Sequence, residues 1–267
     1  MKSIPFTKYQ GTGNDFVLID QRQNQYLALE DHKDIELLCN RKFGIGADGL
    51  ILVQNKEGFD FEMIYYNADG YQSSMCGNGG RCITAFAKEL GIKDAKFNFL
   101  AIDGPHESKI DASGEVALQM QDVDNITIGE DHYILNTGSP HYVIFVEDVS
   151  DINVKQIGES IRYSKPFAKE GINVNFVEKT KDGIIVATYE RGVEDETLSC
   201  GTGVTACAIA YALETDNKDL QNVKVETKGG DLSVSFSALP SGEFKSIWLK
   251  GPATRTFVGE YFLNPIN

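Results

Sequence analysis

The chain has 267 residues, 25 basic against 39 acidic side chains, a net charge of −14 and a hydrophobic content of 42%. That length fits two domains of ordinary size, and that hydrophobic share is enough to build their cores. The acidic balance excludes a nucleic-acid binder, which needs a basic face. No run approaches the ~18 apolar residues of a membrane span. The opening MKSIPFTKYQ has no apolar signal core, so a cytoplasmic protein is expected. Five cysteines (Cys39, Cys76, Cys82, Cys200, Cys207) make an odd set without the density of a secreted framework, and reduced thiols are expected.

Strand-like runs dominate. In the first half they are FVLID (16–20), LILV (50–53), FDFEMIYY (59–66), KFNFLAID (96–103) and EVALQM (115–120). In the second they are YVIFVED (142–148), INVNFVE (172–178), IIVATYE (184–190), VKVET (223–227) and DLSVSF (231–236). Several alternate apolar with polar residues, as half-buried antiparallel strands do. One clear helix follows in each half, near 79–90 and 202–213, with shorter helical patterns near 31–40 and 153–162. Turn signals at Asp69-Gly70, Asp182-Gly183 and Gly229-Gly230 separate or follow strands. The pattern predicts two similar α+β domains. The boundary falls in QDVDNITIGE (121–130), and the tail after Gly251-Pro252 is expected to return to the first domain. The expected domains are therefore 1–121 with 253–267, and 122–252.

The halves share more than composition. MCGNGGRC (75–82) and SCGTGVTAC (199–207) each set a cysteine before Gly-x-Gly and an apolar, helical run. Thr12-Gly13 recurs as Thr137-Gly138, and Asp48 as Asn173, both 125 residues on. Asn67 and Arg191, 124 apart, each stand nine residues before their cysteine. These anchors point to an internal duplication, and pseudo-symmetric halves would bring the two cysteines to one cleft.

Glycines permit positive φ and close approach to a ligand. The first turn of a helix offers free N–H groups and about half a positive charge, which suits a carboxylate. A cysteine placed there favours its thiolate, its pKa falling from about 8.5 to somewhere within ~3.5–7.5. Two such loops could hold one carboxylate with a thiol on each side of the adjacent carbon. Inverting a stereocentre without a cofactor needs a base on one face and an acid on the other, one thiolate and one thiol. Cys76 and Cys200 are thus the candidate pair, and no lysine motif for pyridoxal phosphate stands out. Cys39, Cys82 and Cys207 read as core packing. The spacings C-x5-C and C-x6-C differ from zinc sites, and no metal is expected.

These residues closely resemble the diaminopimelate epimerase family. The matching segments are GTGNDFVLID (11–20), RKFGIGADGLILV (41–53), YNADGYQSSMCGNGGRC (66–82), TGSPHYV (137–143), GINVNF (171–176) and YERGVEDETLSCGTGVTAC (189–207). The resemblance implies two pseudo-symmetric domains, each a strand-rich, barrel-like sheet around a central helix, with the active site in the cleft between them. It implies cofactor-independent interconversion of L,L- and meso-2,6-diaminopimelate in lysine and peptidoglycan precursor biosynthesis. A small-molecule substrate and a homodimer follow as expected partners, with no nucleic acid and no membrane.

Carried over by position, Cys76 and Cys200 are the acid/base pair. Gly77 and Asn78, with Gly201 and Thr202, are the helix-start donors around the reacting carboxylate. Asn14, Asn67 and Asn173 contact substrate. Glu190 and Arg191 match the charged pair that suits a distant ammonium and carboxylate, and His141 is a supporting residue. Blander readings stay open: a solvated strand end for Glu190-Arg191, turn formation for the three Asn, a satisfied core group for His141. The chain departs from the family pattern at Ser139, where Asn is common, and at Gly49, where some members carry Gln. The stretch Val193-Glu194-Asp195 is one residue longer than the short family form.

The nearest rival is a proline or hydroxyproline racemase, which shares the two-cysteine logic. Such enzymes typically have His two residues after the first cysteine, where this chain has Asn78, and their substrates leave Glu190-Arg191 unexplained. An isomerase of the phenazine-pathway type has its cysteines replaced. A non-catalytic amino-acid-binding protein would need neither thiol.

Overall fold

In the computed structural model, which describes residues 2–73, 75–215 and 220–263, the apolar runs form strands and each half keeps one long buried helix. Of the expected first half, residues 1, 74 and 264–267 lie outside the described residues, as do 216–219 of the second. In chain order the elements begin β1 (Lys2–Gly11), β2 (Asn14–Asp20), α1 (His32–Cys39), β3 (Gly49–Gln54), β4 (Phe61–Asn67), α2 (Gly77–Glu89), β5 (Lys96–Ala101), β6 (Gly104–Ile110) and β7 (Val116–Gln119). They continue β8 (Ile126–Ile128), β9 (His132–Asn136), β10 (Pro140–Val146), α3 (Val154–Arg162), β11 (Asn173–Lys179), β12 (Gly183–Glu190), β13 (Asp195–Thr197), α4 (Gly201–Glu214), β14 (Asn222–Thr227), β15 (Gly230–Ala238), β16 (Phe244–Gly251) and β17 (Thr254–Leu263). Among the described residues no helix is long and apolar enough to cross a membrane.

The chain divides into two units, Met1–Leu118 with Pro252–Asn267, and Gln119–Gly251. In the first, β2 and β3 run parallel with Phe16 opposite Gly49. Parallel neighbours need a long crossover, and α1 supplies it. β3 and β4 are antiparallel; β4 and β5 are parallel, with α2 as the crossover; β5, β6 and β7 form an antiparallel meander. β1 lies between β2 and β17, so the chain's tail is a strand of the first unit.

The second unit repeats this plan. β10 and β11 are parallel through α3, with His141 opposite Asn173. β11 and β12 are antiparallel, β12 and β14 parallel through α4, and β14, β15 and β16 antiparallel. β9 takes the place of β1 and β8 that of β17, while β13 folds back on the end of β12. The duplication read from the sequence is a duplication of topology.

Each long helix is buried against strands of its own unit. α4 (GTGVTACAIAYALE) is apolar nearly all round, as a helix covered on all sides must be, and it packs on β9–β12 and β14–β16. α2 packs on β1, β2, β3 and β6 and carries glycines that are weak helix formers. Close packing explains them: a Cβ on Gly80 would lie 2.8 Å from Leu118 Cδ2 and 3.0 Å from Met75 Sδ.

One strand expectation needs correction. KFNFLAID (96–103) is not continuous. The chain turns at Ile102-Asp103 and returns as β6 from Gly104, whose φ of 120° suits glycine. Ile102 is exposed at that turn, so its apolar side chain does not mark a buried strand position.

Candidate active site

Cys76 is the N-cap of α2 and Cys200 the N-cap of α4, both with extended backbone (φ −89°, ψ 130° and φ −116°, ψ 111°). Their carbonyls accept the first helical hydrogen bonds, from Gly80 N (2.7 Å) and Val204 N (2.8 Å). Neither sulfur caps its own helix as a serine hydroxyl would. The glycines after each cysteine keep right-handed helical backbone, against the expectation of positive φ. What they provide is closeness: a Cβ on Gly203 would stand 2.5 Å from Asn175 Oδ1 and 3.3 Å from His141 Cε1.

Around Cys76 the first unit brings together Asn14, Asn78 and a charged network. Asn14 opens β2 and donates Nδ2–H to Asp48 Oδ2 (2.7 Å). Its Oδ1 therefore faces the loop, 3.3 Å from Asn78 Nδ2 and 3.6 Å from Cys76 Sγ, where it accepts from the thiol. Asp48 is held by Arg41 (2.7 Å), which also binds Asp15 (2.6 Å), and Lys8 binds Asp15 (2.6 Å). Burial works to raise the Asp15 carboxyl, but the Arg41 and Lys8 bonds outweigh it and hold it well below the usual carboxylate range. Behind Asn78, fully buried Arg81 donates to Asn78 Oδ1 (3.0 Å) and Thr12 Oγ1 (3.1 Å).

In the second unit the groups bonded nearest Cys200 are neutral. Thr202 Oγ1 lies 3.5 Å from Cys200 Sγ and 2.9 Å from His141 Nε2. Thr137 Oγ1 donates to the Thr202 carbonyl (2.8 Å). Asn173 donates to Ser139 Oγ (2.9 Å) and accepts from the Arg191 backbone N–H (3.0 Å). Arg191 donates to the Glu170 carbonyl (2.9 Å) and to Ser139 Oγ (3.2 Å); both are neutral acceptors and neither cancels the guanidinium charge. Glu190 ends β12, and its carbonyl accepts from Glu194 N (2.8 Å). The longer stretch 193–195 leads from a turn into β13 and is pinned by Glu194, at φ 57°, whose carboxylate accepts from Tyr189 and Gly192.

Asn67 sits exposed at the end of β4, its backbone closing the turn to Gly70 and Tyr71, apart from the bonded cluster around Cys76. At Gly49 a Cβ would lie 2.6 Å from both Tyr65 Cε2 and the Tyr66 carbonyl oxygen, so the Tyr65 ring occupies the room a side chain would take. Cys39, Cys82 and Cys207 are buried in helices; burial pushes the Cys39 and Cys82 thiols up to about 12 and Cys207 well above its ordinary value. Asp48, Asn175 and Ser139 were not among the expected site residues. A usable signal existed for Asn175, which shares a strand face with Asn173 two residues away.

This twice-repeated unit defines a known class of fold. A phenazine biosynthesis protein of Bacillus anthracis superposes with a TM-score of 0.75 at 14% identity, covering 98% of this chain and 100% of that one. A probable proline racemase of Agrobacterium radiobacter superposes at 0.69 with 14% identity, covering 99% and 94%. The family model for diaminopimelate epimerase matches residues 6–126 and 133–255. A diaminopimelate epimerase of Flavobacterium psychrophilum is 50% identical over 251 residues, 94% of this chain and 97% of that protein. The chain belongs to the diaminopimelate epimerase family and is an isomerase.

Proposed function

We propose that the chain interconverts L,L- and meso-2,6-diaminopimelate without a cofactor, in lysine and peptidoglycan precursor biosynthesis, with Cys76 and Cys200 as acid and base. One cysteine, as thiol, donates a proton while the other, as thiolate, removes one, so the pair alternates a single negative charge. The observation that carries this assignment is the station of the two cysteines. Each is the N-cap of a buried helix at the same point of a repeated topology, where first-turn N–H groups favour a thiolate. The other three are sealed in helices where burial favours the thiol.

The amides of Gly77, Asn78, Gly201 and Thr202 receive the reacting carboxylate and the charge that grows on it. Asn14, Asn67 and Asn173 hydrogen-bond the substrate. Glu190 takes the distal ammonium and Arg191 the distal carboxylate, and His141 supports Cys200 from behind Thr202. The likeness to a proline racemase is one of fold, and Asn78 together with the Glu190-Arg191 pair argues against that substrate. The enzyme works in the cytoplasm, where reduced thiols persist. It forms a homodimer, for which exposed Phe257, Val258 and Phe262 on β17 offer apolar area; a monomeric mass in sedimentation would remove that part.

The test uses purified, reduced enzyme in D2O with L,L-diaminopimelate, following the α-protons by NMR. Formation of the meso isomer with deuterium at one α-carbon is expected. Cys76→Ala and Cys200→Ala should each lower the rate by about 10³-fold or more. Turnover of L-proline instead would transfer the chain to the racemases. Full activity in either variant would end the two-thiol assignment.

A further inference from the structure

We propose that Asn175 fixes His141 as its Nε2–H tautomer and thereby reserves the single hydroxyl proton of Thr202 for the sulfur of Cys200. This rests on the reading above, in which Cys200 is one of the two acid/base groups, and adds Asn175, Thr188 and the Thr202 hydroxyl as its positioning residues.

Asn175 Nδ2 lies 3.0 Å from the backbone carbonyl oxygen of Tyr142, which can only accept. Its Oδ1 lies 3.0 Å from Thr188 Oγ1, which donates to it across the β11–β12 pair, where the two residues are directly opposite. The orientation of the amide is settled by these two contacts. The second hydrogen on Nδ2 then points at His141 Nδ1, 3.1 Å away, and that nitrogen must carry a lone pair.

His141 is fully buried. Burial first, and the positive charge of Arg191 second, push it down to about 3, so the ring is neutral near pH 7. A neutral ring with a bare Nδ1 has its proton on Nε2. That proton goes to Thr202 Oγ1, 2.9 Å away.

Thr202 has one proton of its own. With Nε2–H donating to its oxygen, that proton is free for Cys200 Sγ at 3.5 Å and stabilises the thiolate. The oxygen's remaining lone pair can accept from the thiol when Cys200 is protonated, so the pair accommodates both states. The other tautomer would present a bare Nε2, take the hydroxyl proton for itself and leave the thiolate facing oxygen lone pairs. Gly203 makes the arrangement possible, since a side chain there would displace Asn175 Oδ1. Asn175 and Thr188 are both buried polar side chains, and packing alone would be served by apolar residues.

The experiment reads the free enzyme, so its outcome is independent of whether diaminopimelate is turned over. Histidine-¹⁵N-labelled full-length protein is examined by two-bond ¹H–¹⁵N correlation, with His141→Gln assigning the signal. The expected result is a neutral Nε2–H ring from about pH 5 to 9. An Nδ1–H ring, or an imidazolium at pH 7, overturns the proposal. In parallel, iodoacetamide labelling of the Cys76 and Cys200 peptides is followed by mass spectrometry across pH. Thr202→Val should slow Cys200 labelling at pH 7 by about tenfold and move its midpoint up by about one pH unit, leaving Cys76 unchanged. Thr202→Ser should restore both, and Asn175→Met should move the Cys200 midpoint the same way by less. Equal labelling of Cys200 in wild type and Thr202→Val sinks it.

Discussion

The two cysteine loops share a backbone and differ in almost everything that touches the sulfur. Both cysteines are N-caps of the helix that crosses between parallel strands, and each loop faces a Thr-Gly turn. Even one side-chain bond is repeated with its residues exchanged: Asn14 donates to Asp48 in one unit and Asn173 donates to Ser139 in the other, at 2.7 and 2.9 Å. Beyond that the halves part. Cys76 meets an amide oxygen anchored in a network of Lys8, Asp15, Arg41 and Asp48, with buried Arg81 close behind. Cys200 meets a hydroxyl backed by His141, Asn175 and Thr188, all uncharged near neutral pH. Set back by the 125-residue repeat, His141 falls on Phe16 and Asn175 on Leu50, both apolar. The duplicated backbone fixes where a thiol stands, while the divergent side chains set how each one is held.

Arg81 offers the largest break in that comparison. It ties the Thr12 turn, the carbonyls of Gly77 and Pro252 and the Asn78 side chain together from a fully buried position. Arg81→Met would remove the buried charge but take its N–H donors from four acceptors, so a loss of about 2–4 kcal/mol is expected in urea unfolding. The matching station in the second unit, five residues past its cysteine, is Thr205, whose hydroxyl merely returns to the Gly201 carbonyl at 2.9 Å. Thr205→Val should cost about 1 kcal/mol or less. Equal costs would mean that Arg81 is no more integral to its loop than Thr205 is.

A smaller effect separates the two helix-start glycines. Alanine is favoured over glycine inside a helix by about 0.8–1 kcal/mol. At Gly79 a new Cβ would meet Ile51 Cδ1 at 3.2 Å and Met63 Cε at 3.5 Å, the movable ends of apolar chains. Gly79→Ala should therefore leave the melting temperature nearly unchanged. At Gly203 the obstacle is Asn175 Oδ1 at 2.5 Å, locked from two sides. Gly203→Ala should cost about 1–3 kcal/mol and slow iodoacetamide labelling of Cys200. A stabilised Gly203→Ala protein would show that Asn175 can move away.

Much of this was legible in the chain itself. The repeated Cys-Gly-x-Gly and Thr-Gly marks carry the duplication, and apolar runs such as LILV mark central strands because both their faces are buried. What stayed hidden is what tertiary pairing creates. GPHESKI is not among the expected strands because it has no apolar run, yet β5 pairs with it along its whole length. Asn175 reads as one more strand residue until β10 is laid parallel to β11 and His141 comes within reach. The glycines were read for positive φ and for close approach; their backbone is helical, and the absence of a Cβ is what matters.

The finest distinction is the titration of His141, which its counterpart Phe16 cannot share. In the folded protein the ring is pushed from its ordinary 6.5 down to about 3. The unfolded chain therefore takes up a proton below about pH 6.5 that the folded chain refuses, and stability must fall with pH between those values. Above pH 6.5 the contribution is fully present. The slope from one such group is at most about 1.4 kcal/mol per pH unit. Asp15, also depressed, loses stability in the same direction as pH falls, but it is common to wild type and variant and cancels between them. His141→Gln keeps an amide able to reach Thr202 and cannot titrate. Between pH 6.5 and 4.5 the wild type should thus lose about 2 kcal/mol more than His141→Gln in urea unfolding. Parallel curves would mean that His141 accepts a proton inside the fold, and the contrast between the charged network beside Cys76 and the neutral side chains backing Cys200 would no longer hold.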